Sequence, residues 1–328
     1  MSASFGPPRP GANFDGRRFS NPWHDHGQTS RFGLWRWLLR PRGPDWPPAA
    51  PDAANTDTPK IPPRRSHAPR VTWIGHACVL IQIDGLNLIT DPVYAARVGP
   101  LPGIGVRRHT PPAIDWHYLP PIDLVLISHA HYDHLDRATI TALVRRDDPV
   151  FVAGLGLDAW FARRGSRRIV TLDWWHSARP TAEDLAITAV PAQHWSRRGL
   201  FDRNRSLWAG FWIETPERRL YFAGDTGYGP HFRWIRERLG TPDLALLPIG
   251  AYEPRELMRR QHMNPDDAVK AHRDLEARRS VGIHFATFKL TDEGRDQPAH
   301  DLAAARQRHG VHDDAFVAPQ FGQVFELG

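Results

Sequence analysis

Ser128-His-Ala-His-Tyr-Asp-His-Leu135 follows directly on the apolar run Leu124-Val-Leu-Ile127. Four potential metal ligands, His129, His131, Asp133 and His134, fall within six positions. His129 and His131 stand two apart, so in extended chain they project to one side and can chelate one cation. Asp133 and His134 follow as the chain turns towards a helix and are free to reach a second. Burying several imidazoles and a carboxylate at a strand end is costly unless something pairs with them, and a divalent cation does so best.

Outward from this motif the chain alternates short β-rich runs with helical patterns, as expected of an α/β protein. Val71 to Ile74, Cys78 to Ile83 and Leu86 to Thr90 read as a meander, with Asp84-Gly85 as a hairpin turn. Leu124 to Ile127, Leu220 to Ala223, Leu244 to Ile249 and Ser280 to Phe285 are near-continuous apolar runs, the mark of strands buried on both faces. A helix is expected to start at Asn264-Pro265, with Asn as N-cap, Pro at the first helical position and Asp266 and Asp267 facing the positive end of the dipole. Further helices are expected over Arg137 to Arg145, His231 to Leu239 and Ala299 to Arg308. Sheets inside and helices outside make a layered α/β sandwich, and no internal repeat at solenoid or propeller period is visible.

The chain has 328 residues, 41% hydrophobic and 24% charged, a globular composition with no apolar run near the ~20 residues that span a bilayer. The start, MSASFGPPRPGANFDG, lacks the apolar stretch of a secretory leader, and a lone cysteine, Cys78, sits in an apolar strand pattern. These features point to a cytoplasmic protein. The net charge of +6 is carried almost wholly by arginine, since Lys60, Lys270 and Lys289 are the only lysines. That excess favours anionic partners such as phosphates, lipid head groups or nucleic acid. Residues 1–70 are rich in Pro, Gly and Arg and read as an extension packing on a main domain of residues 71–328. Within the extension, Phe32-Gly-Leu-Trp-Arg-Trp-Leu-Leu-Arg40 suits either a membrane interface, through Trp35 and Trp37, or docking on the main domain.

One motif does not complete two metal sites, and three further candidates end strand-like runs downstream: His194, Asp225 and His284. The series HxHxDH, His, Asp, His resembles that of the metallo-β-lactamase superfamily, which implies an αββα sandwich. The segments Thr72-Trp-Ile-Gly-His-Ala77, Leu88-Ile-Thr-Asp-Pro92, Phe222-Ala-Gly-Asp-Thr-Gly-Tyr228, Pro248-Ile-Gly-Ala-Tyr-Glu-Pro-Arg255, Gln261-His-Met-Asn-Pro265 and His284-Phe-Ala-Thr-Phe288 look like one branch of it. That branch is the N-acylphosphatidylethanolamine-hydrolysing phospholipases D. Arg18-Phe-Ser-Asn-Pro-Trp23 resembles its amino-terminal region, so the likeness covers nearly the whole chain.

The resemblance implies two zinc ions, with iron or manganese tolerated by the same donors: His129, His131 and His194 hold one, Asp133, His134 and His284 the other, and Asp225 bridges both. Two such cations would share a water, lower its pKa and aim the hydroxide at a phosphodiester, giving N-acylethanolamine and phosphatidic acid. His262 and Tyr252 are the candidate proton donors to the leaving group. His76 is read as supporting a ligand rather than being one, and Asp91 as either orienting a ligand histidine or making a turn. The resemblance also implies a homodimer and a peripheral seat on the inner face of the membrane.

Three alternatives stand beside this reading. A lactonase or sugar-phosphate hydrolase of the same fold shares the Gly75-His76-Ala77 start. A nuclease suits the basic charge but lacks a large nucleic-acid-binding insert between Asp225 and His284. A di-iron oxidoreductase or non-catalytic metal protein is disfavoured by His131, where oxygen-handling relatives carry an acid.

Overall fold

The computed structural model describes residues 11–23, 37, 43, 45–47, 61–101, 103–181 and 184–327. Its core is two seven-stranded sheets. The first runs, in spatial order, Val324–Glu326 (β16), Arg70–Gly75 (β1), Cys78–Ile83 (β2), Leu86–Thr90 (β3), Leu124–Ile127 (β6), Val150–Gly154 (β7) and Ile169–Leu172 (β8). The second runs Phe316–Val317 (β15), Arg279–Ile283 (β14), Leu244–Pro248 (β13), Arg219–Phe222 (β12), Gly210–Glu214 (β11), Ala186–Val190 (β10) and Ser177–Ala178 (β9). Arg97–Val98 (β4) and Val106–Arg107 (β5) form a separate ribbon.

Each sheet is half antiparallel and half parallel. β16, β1, β2 and β3 pair antiparallel, and β3, β6, β7 and β8 then run parallel. In the second sheet β9 to β12 are antiparallel and β12 to β15 parallel. The turn from β2 to β3 is Asp84-Gly85 with φ of 51° and 77°, the two positive values that a tight hairpin turn requires.

Side chains alternate across β6. Leu124 and Leu126 enter a core shared with Ile187, Phe211 and Phe222 of the other sheet, whereas Val125 and Ile127 face a second core with Ile140, Leu143 and Phe161. Those last three belong to helices Arg137–Arg146 (α1) and Asp158–Ala162 (α2), which cover the outer face of the first sheet. His231–Leu239 (α3), Arg255–Met258 (α4), Pro265–Asp274 (α5) and Gln297–His309 (α6) follow strands of the second. Full burial of each large apolar side chain contributes roughly 1.5–3 kcal/mol, which makes these two cores the main support of the αββα sandwich. The expected start of α5 holds, because the Asn264 side chain accepts from the Asp267 amide at 2.9 Å and Pro265 opens the helix.

Described parts of the extension are tied to this body. The Gly11 amide donates to Asp173, and Asn21 Nδ2 donates to the His194 carbonyl at 2.9 Å. Trp23 donates to Gln193 Oε1 and packs on Trp174 and Trp234. Trp37 Nε1 donates to Asp292 Oδ2 at 2.8 Å, so this indole is docked rather than presented to a membrane; Trp35 lies outside the described residues. Cys78 is buried, and burial pushes its thiol up to about 12, which leaves it inert as a nucleophile. Among the described residues no helix is long and apolar enough to cross a membrane.

Candidate metal centre

His76, Asp91, His129, His194, Asp225 and His284 all come within four residues of the carboxyl end of a strand, β1, β3, β6, β10, β12 and β14 in turn. Strand carboxyl ends are where an open parallel sheet presents its crevice, so both sheets deliver polar side chains to one edge of the sandwich. His76, Asp91 and His284 adopt φ of 55°, 34° and 63° as the chain leaves its strand. Such backbone is costly for residues other than glycine and marks positions over-determined by their surroundings. At Gly224, with φ of 60°, a Cβ would stand 2.6 Å from Ser128 Cβ, so only glycine lets the chain before Asp225 close on the HxHxDH segment.

The outward-facing nitrogens settle the tautomers. His194 Nδ1 lies 2.9 Å from the Gln261 carbonyl, and His134 Nδ1 lies 2.7 Å from Asp91 Oδ2. The Gln261 carbonyl can only accept, and Asp91, although burial raises its carboxyl, already accepts from the Ser128 amide and hydroxyl, so each Nδ1 carries a proton and donates. Ser128 Oγ donates its single proton to Asp91 Oδ2, which leaves it to accept from His129 Nδ1 at 2.9 Å. In His129 and His194, which burial keeps neutral, the inward Nε2 is therefore a lone pair, the state a metal requires, whereas His134, held charged by the carboxylates around it, would offer its Nε2 on giving up that proton to a cation.

Two groups of inward atoms result. His129 Nε2 and His194 Nε2 lie 2.7 Å and 3.3 Å from His131 Nδ1. Asp133 Oδ2 lies 3.3 Å from His134 Nε2 and 3.6 Å from His284 Nε2, and those two nitrogens are 3.2 Å apart. Asp225 stands between the groups, with Oδ2 at 3.2 Å from His134 Nε2, 3.8 Å from His194 Nε2 and 4.0 Å from His129 Nε2, and Oδ1 at 3.1 Å from His284 Nε2. Within each group the donor atoms lie within 4.8 Å of one another.

The charges divide in the same way. Burial holds His129 and His194 well below the usual imidazole range and takes His131 down to about 4. Burial also opposes a charge on His134 and His284, yet Asp225 and its neighbouring carboxylates outweigh it, taking His284 up to about 9 and His134 well above its usual value. Asp225 is buried and Asp133 half-buried, and the charges and hydrogen bonds of these rings keep both well below the usual carboxylate range. Converging lone pairs, two ionised carboxylates and only nitrogen and oxygen donors fit a pair of zinc-class cations.

The remaining candidates separate. His262 lines a cavity of about 640 Å³ together with His131, Asp133 and Asp225. Its Nδ1 is buried without a hydrogen-bond partner, 3.8 Å from Asp225 Oδ2. Tyr252 does not join it: its hydroxyl donates to Asp301 on α6, because the chain turns this ring into the body of the protein. His76 Nε2 bonds Asp133 Oδ2 at 3.0 Å, the support expected of it, and also groups with Asp133, His134 and His284 as a fourth donor. Ser128 and the Gln261 carbonyl were not foreseen as tautomer-fixing partners. Ser128 could have been found by its place beside His129, whereas a backbone carbonyl carries no sequence signal.

An αββα sandwich whose strand ends gather a two-part set of histidines and aspartates defines a protein of the metallo-β-lactamase fold. The chain belongs to the β-lactamase superfamily, whose domain model matches residues 87–285. It is 38% identical over 266 residues to "N-acyl-phosphatidylethanolamine-hydrolyzing phospholipase D 1" of Caenorhabditis elegans, covering 78% of this chain and 75% of that one. It is 34% identical over 258 residues to the mitochondrial protein of the same description in Saccharomyces cerevisiae, covering 77% of this chain and 55% of the yeast one. The solved structure of Igni18, a metallo hydrolase from Ignicoccus hospitalis, superposes with a TM-score of 0.59 at 23% identity, over 80% of this chain and all of that one.

Proposed function

We infer that this metal-dependent hydrolase is a dinuclear phosphodiesterase of phospholipase D type, cleaving N-acylphosphatidylethanolamine to N-acylethanolamine and phosphatidic acid. The observation that carries the reading is the two-part ligand set opening into a cavity with apolar and arginine walls, in a chain 38% identical to the worm phospholipase. Two zinc ions held by His129, His131 and His194, by Asp133, His134 and His284, and by Asp225 between them would supply Lewis acidity and an activated water, and iron or manganese suits the same donors.

The protein's own residues do the rest. Asp225 faces both groups and keeps them in one register. Asp91, Ser128 and Gln261 hold the histidines with lone pairs inward. His262, at the cavity wall, is lowered to about 4 by burial and is therefore neutral, placed to take up the proton released from the attacking water and pass it to the alkoxide of the departing N-acylethanolamine as its bond to phosphorus breaks. Val98, Pro100, Val106 and Leu290 give the same cavity an apolar side for acyl chains. Leu200, 78% exposed, lines the same cavity and is followed by Phe201 at 82%; with the exposed Leu101 and Ile104 these four are the membrane contact of this reading in place of Trp37.

The test is mass-spectrometric product analysis of the zinc-loaded protein with N-acylphosphatidylethanolamine in mixed micelles, with Asp225→Asn as control. Release of both products, lost in the control, is expected. Hydrolysis of a soluble lactone or phosphodiester with no turnover of lipid would retain the metal centre and overturn the lipid substrate.

A further inference from the structure

Beside the metal cavity lies a second one of about 850 Å³, into which six arginines project: Arg97, Arg107, Arg137, Arg145, Arg164 and Arg198. The two cavities share Val98, Pro100, Tyr132 and Arg198 in their walls. Tyr132 is the residue between His131 and Asp133, and Arg198 stacks on its ring at 4.6 Å. Only a side-chain partition thus separates the arginines from the reaction centre.

The internal charges only partly offset this cationic wall: Asp136 and Asp202 act on Arg198 from a distance, and the guanidiniums of Arg97, Arg164 and Arg198 donate to backbone carbonyls, not to carboxylates. None of the six forms an ion pair within 4.0 Å with a carboxylate among the described residues. The one acid in the wall, Asp136, is spent capping α1, where it accepts from Ala138 and Thr139. Arg97 and Arg107 face each other directly across the β4–β5 ribbon, a like-charge pair that costs stability. Arg164 and Arg198 are crowded further, since both guanidiniums lie over the Trp160 ring. Burial and the nearby charges of Arg198, Arg137 and Arg163 take Arg164 down to about 10, which is the response of a cation with no anion beside it.

We propose that this cavity is an anion site for a phosphomonoester dianion, the head group of an anionic phospholipid such as phosphatidic acid. Guanidinium groups match phosphate oxygens bidentately, and several converging on one space exceed the demand of a single phosphodiester charge. The exposed Leu101 at the edge of this wall and Leu200 at the edge of the neighbouring one favour a lipid source over a polynucleotide. Trp160 is occupied by two arginines and is not free to stack a base. The source of the phosphate rests on the phospholipase reading; the binding itself does not.

The experiment compares the zinc-loaded full chain with its Arg107→Gln/Arg145→Gln double variant in cosedimentation with phosphatidylcholine vesicles, plain or doped with phosphatidic acid. Inorganic phosphate and a short single-stranded RNA serve as competitors. Doped vesicles should bind the parent, the double variant should bind about tenfold or more weakly, and its melting temperature should hold or rise as the Arg97 repulsion is relieved. Equal binding by the two proteins overturns the site. Protection by inorganic phosphate or RNA without vesicle binding overturns the lipid source. Vesicle binding by the parent that the double substitution abolishes, in a protein that never turns over N-acylphosphatidylethanolamine, would keep the site and remove the phospholipase reading alone.

Discussion

Asp91→Asn changes one atom at the back of the metal centre. Asn accepts a positive φ, so the turn at 34° survives, but its amide would present a donor to His134 Nδ1 in place of the carboxylate oxygen at 2.7 Å. The ring would then favour the tautomer with its proton on Nε2, the atom that faces Asp133 and His284. Chelator competition should show metal affinity about ten- to a hundredfold weaker; an unchanged affinity would reduce Asp91 to a turn residue. His262→Gln asks a different question, since the ring reaches no closer than 3.8 Å to the Asp225 carboxylate. Metal content should stay at the parental level while kcat falls about a hundredfold or more with little change in KM. A parental kcat would leave the leaving group without a donor from this chain. Much of this site was legible because ligands in HxHxDH are close in sequence, and His194, Asp225 and His284 all end apolar runs. Tyr252 shows the converse: sequence puts it after β13 but says nothing of its direction, and in the structure its hydroxyl is held by Asp301.

At the scale of elements, runs buried on both faces were readable as strands, and β2, β3, β6 and β10 lie where their apolar residues place them. The duplicated half-parallel layout was not, because strand pairing is long-range and neither half repeats the other's residues. Gly210–Glu214 was missed too: a glycine start weakens β propensity, and only its pairing with β10 and β12 makes it a strand. Helix α5 carries a testable cost of its own. His272 is buried against Phe316 with Nδ1 at 2.8 Å from Ser280 Oγ, and burial, aided by the Arg273 charge, lowers it from 6.5 to about 4. Between those values the unfolded chain takes up a proton that the folded helix refuses. Stability is therefore flat with respect to this group above about 6.5 and falls as pH drops towards 4, by on the order of 3 kcal/mol at most. Urea unfolding of the parent and His272→Gln from pH 7 to pH 4 should give a shallower pH slope for the variant, and parallel slopes would exclude His272 as the cause.

For the whole molecule, charge and shape act together. The +6 net charge was visible in the sequence, but not that six arginines would gather around one cavity next to the metal centre. The tie of residues 11–23 to β10 and its neighbours was equally hidden, because Asn21 and Trp23 meet His194 and Gln193 across some 170 positions. On the proposed reading, a basic face beside the metal cavity would steer the enzyme to anionic surfaces over a range set by salt, about 10 Å at 0.1 M and about 3 Å at 1 M. Initial rates on N-acylphosphatidylethanolamine in vesicles should accordingly be higher when the vesicles carry anionic lipid, and that advantage should fade as sodium chloride rises between those limits. Turnover of a short-chain, water-soluble phosphodiester should change little over the same range, since its approach to the ligand set does not depend on an extended charged surface. If both substrates respond alike, salt acts at the metal centre itself. If neither responds, the four exposed apolar residues Leu101, Ile104, Leu200 and Phe201 carry the attachment without help from charge.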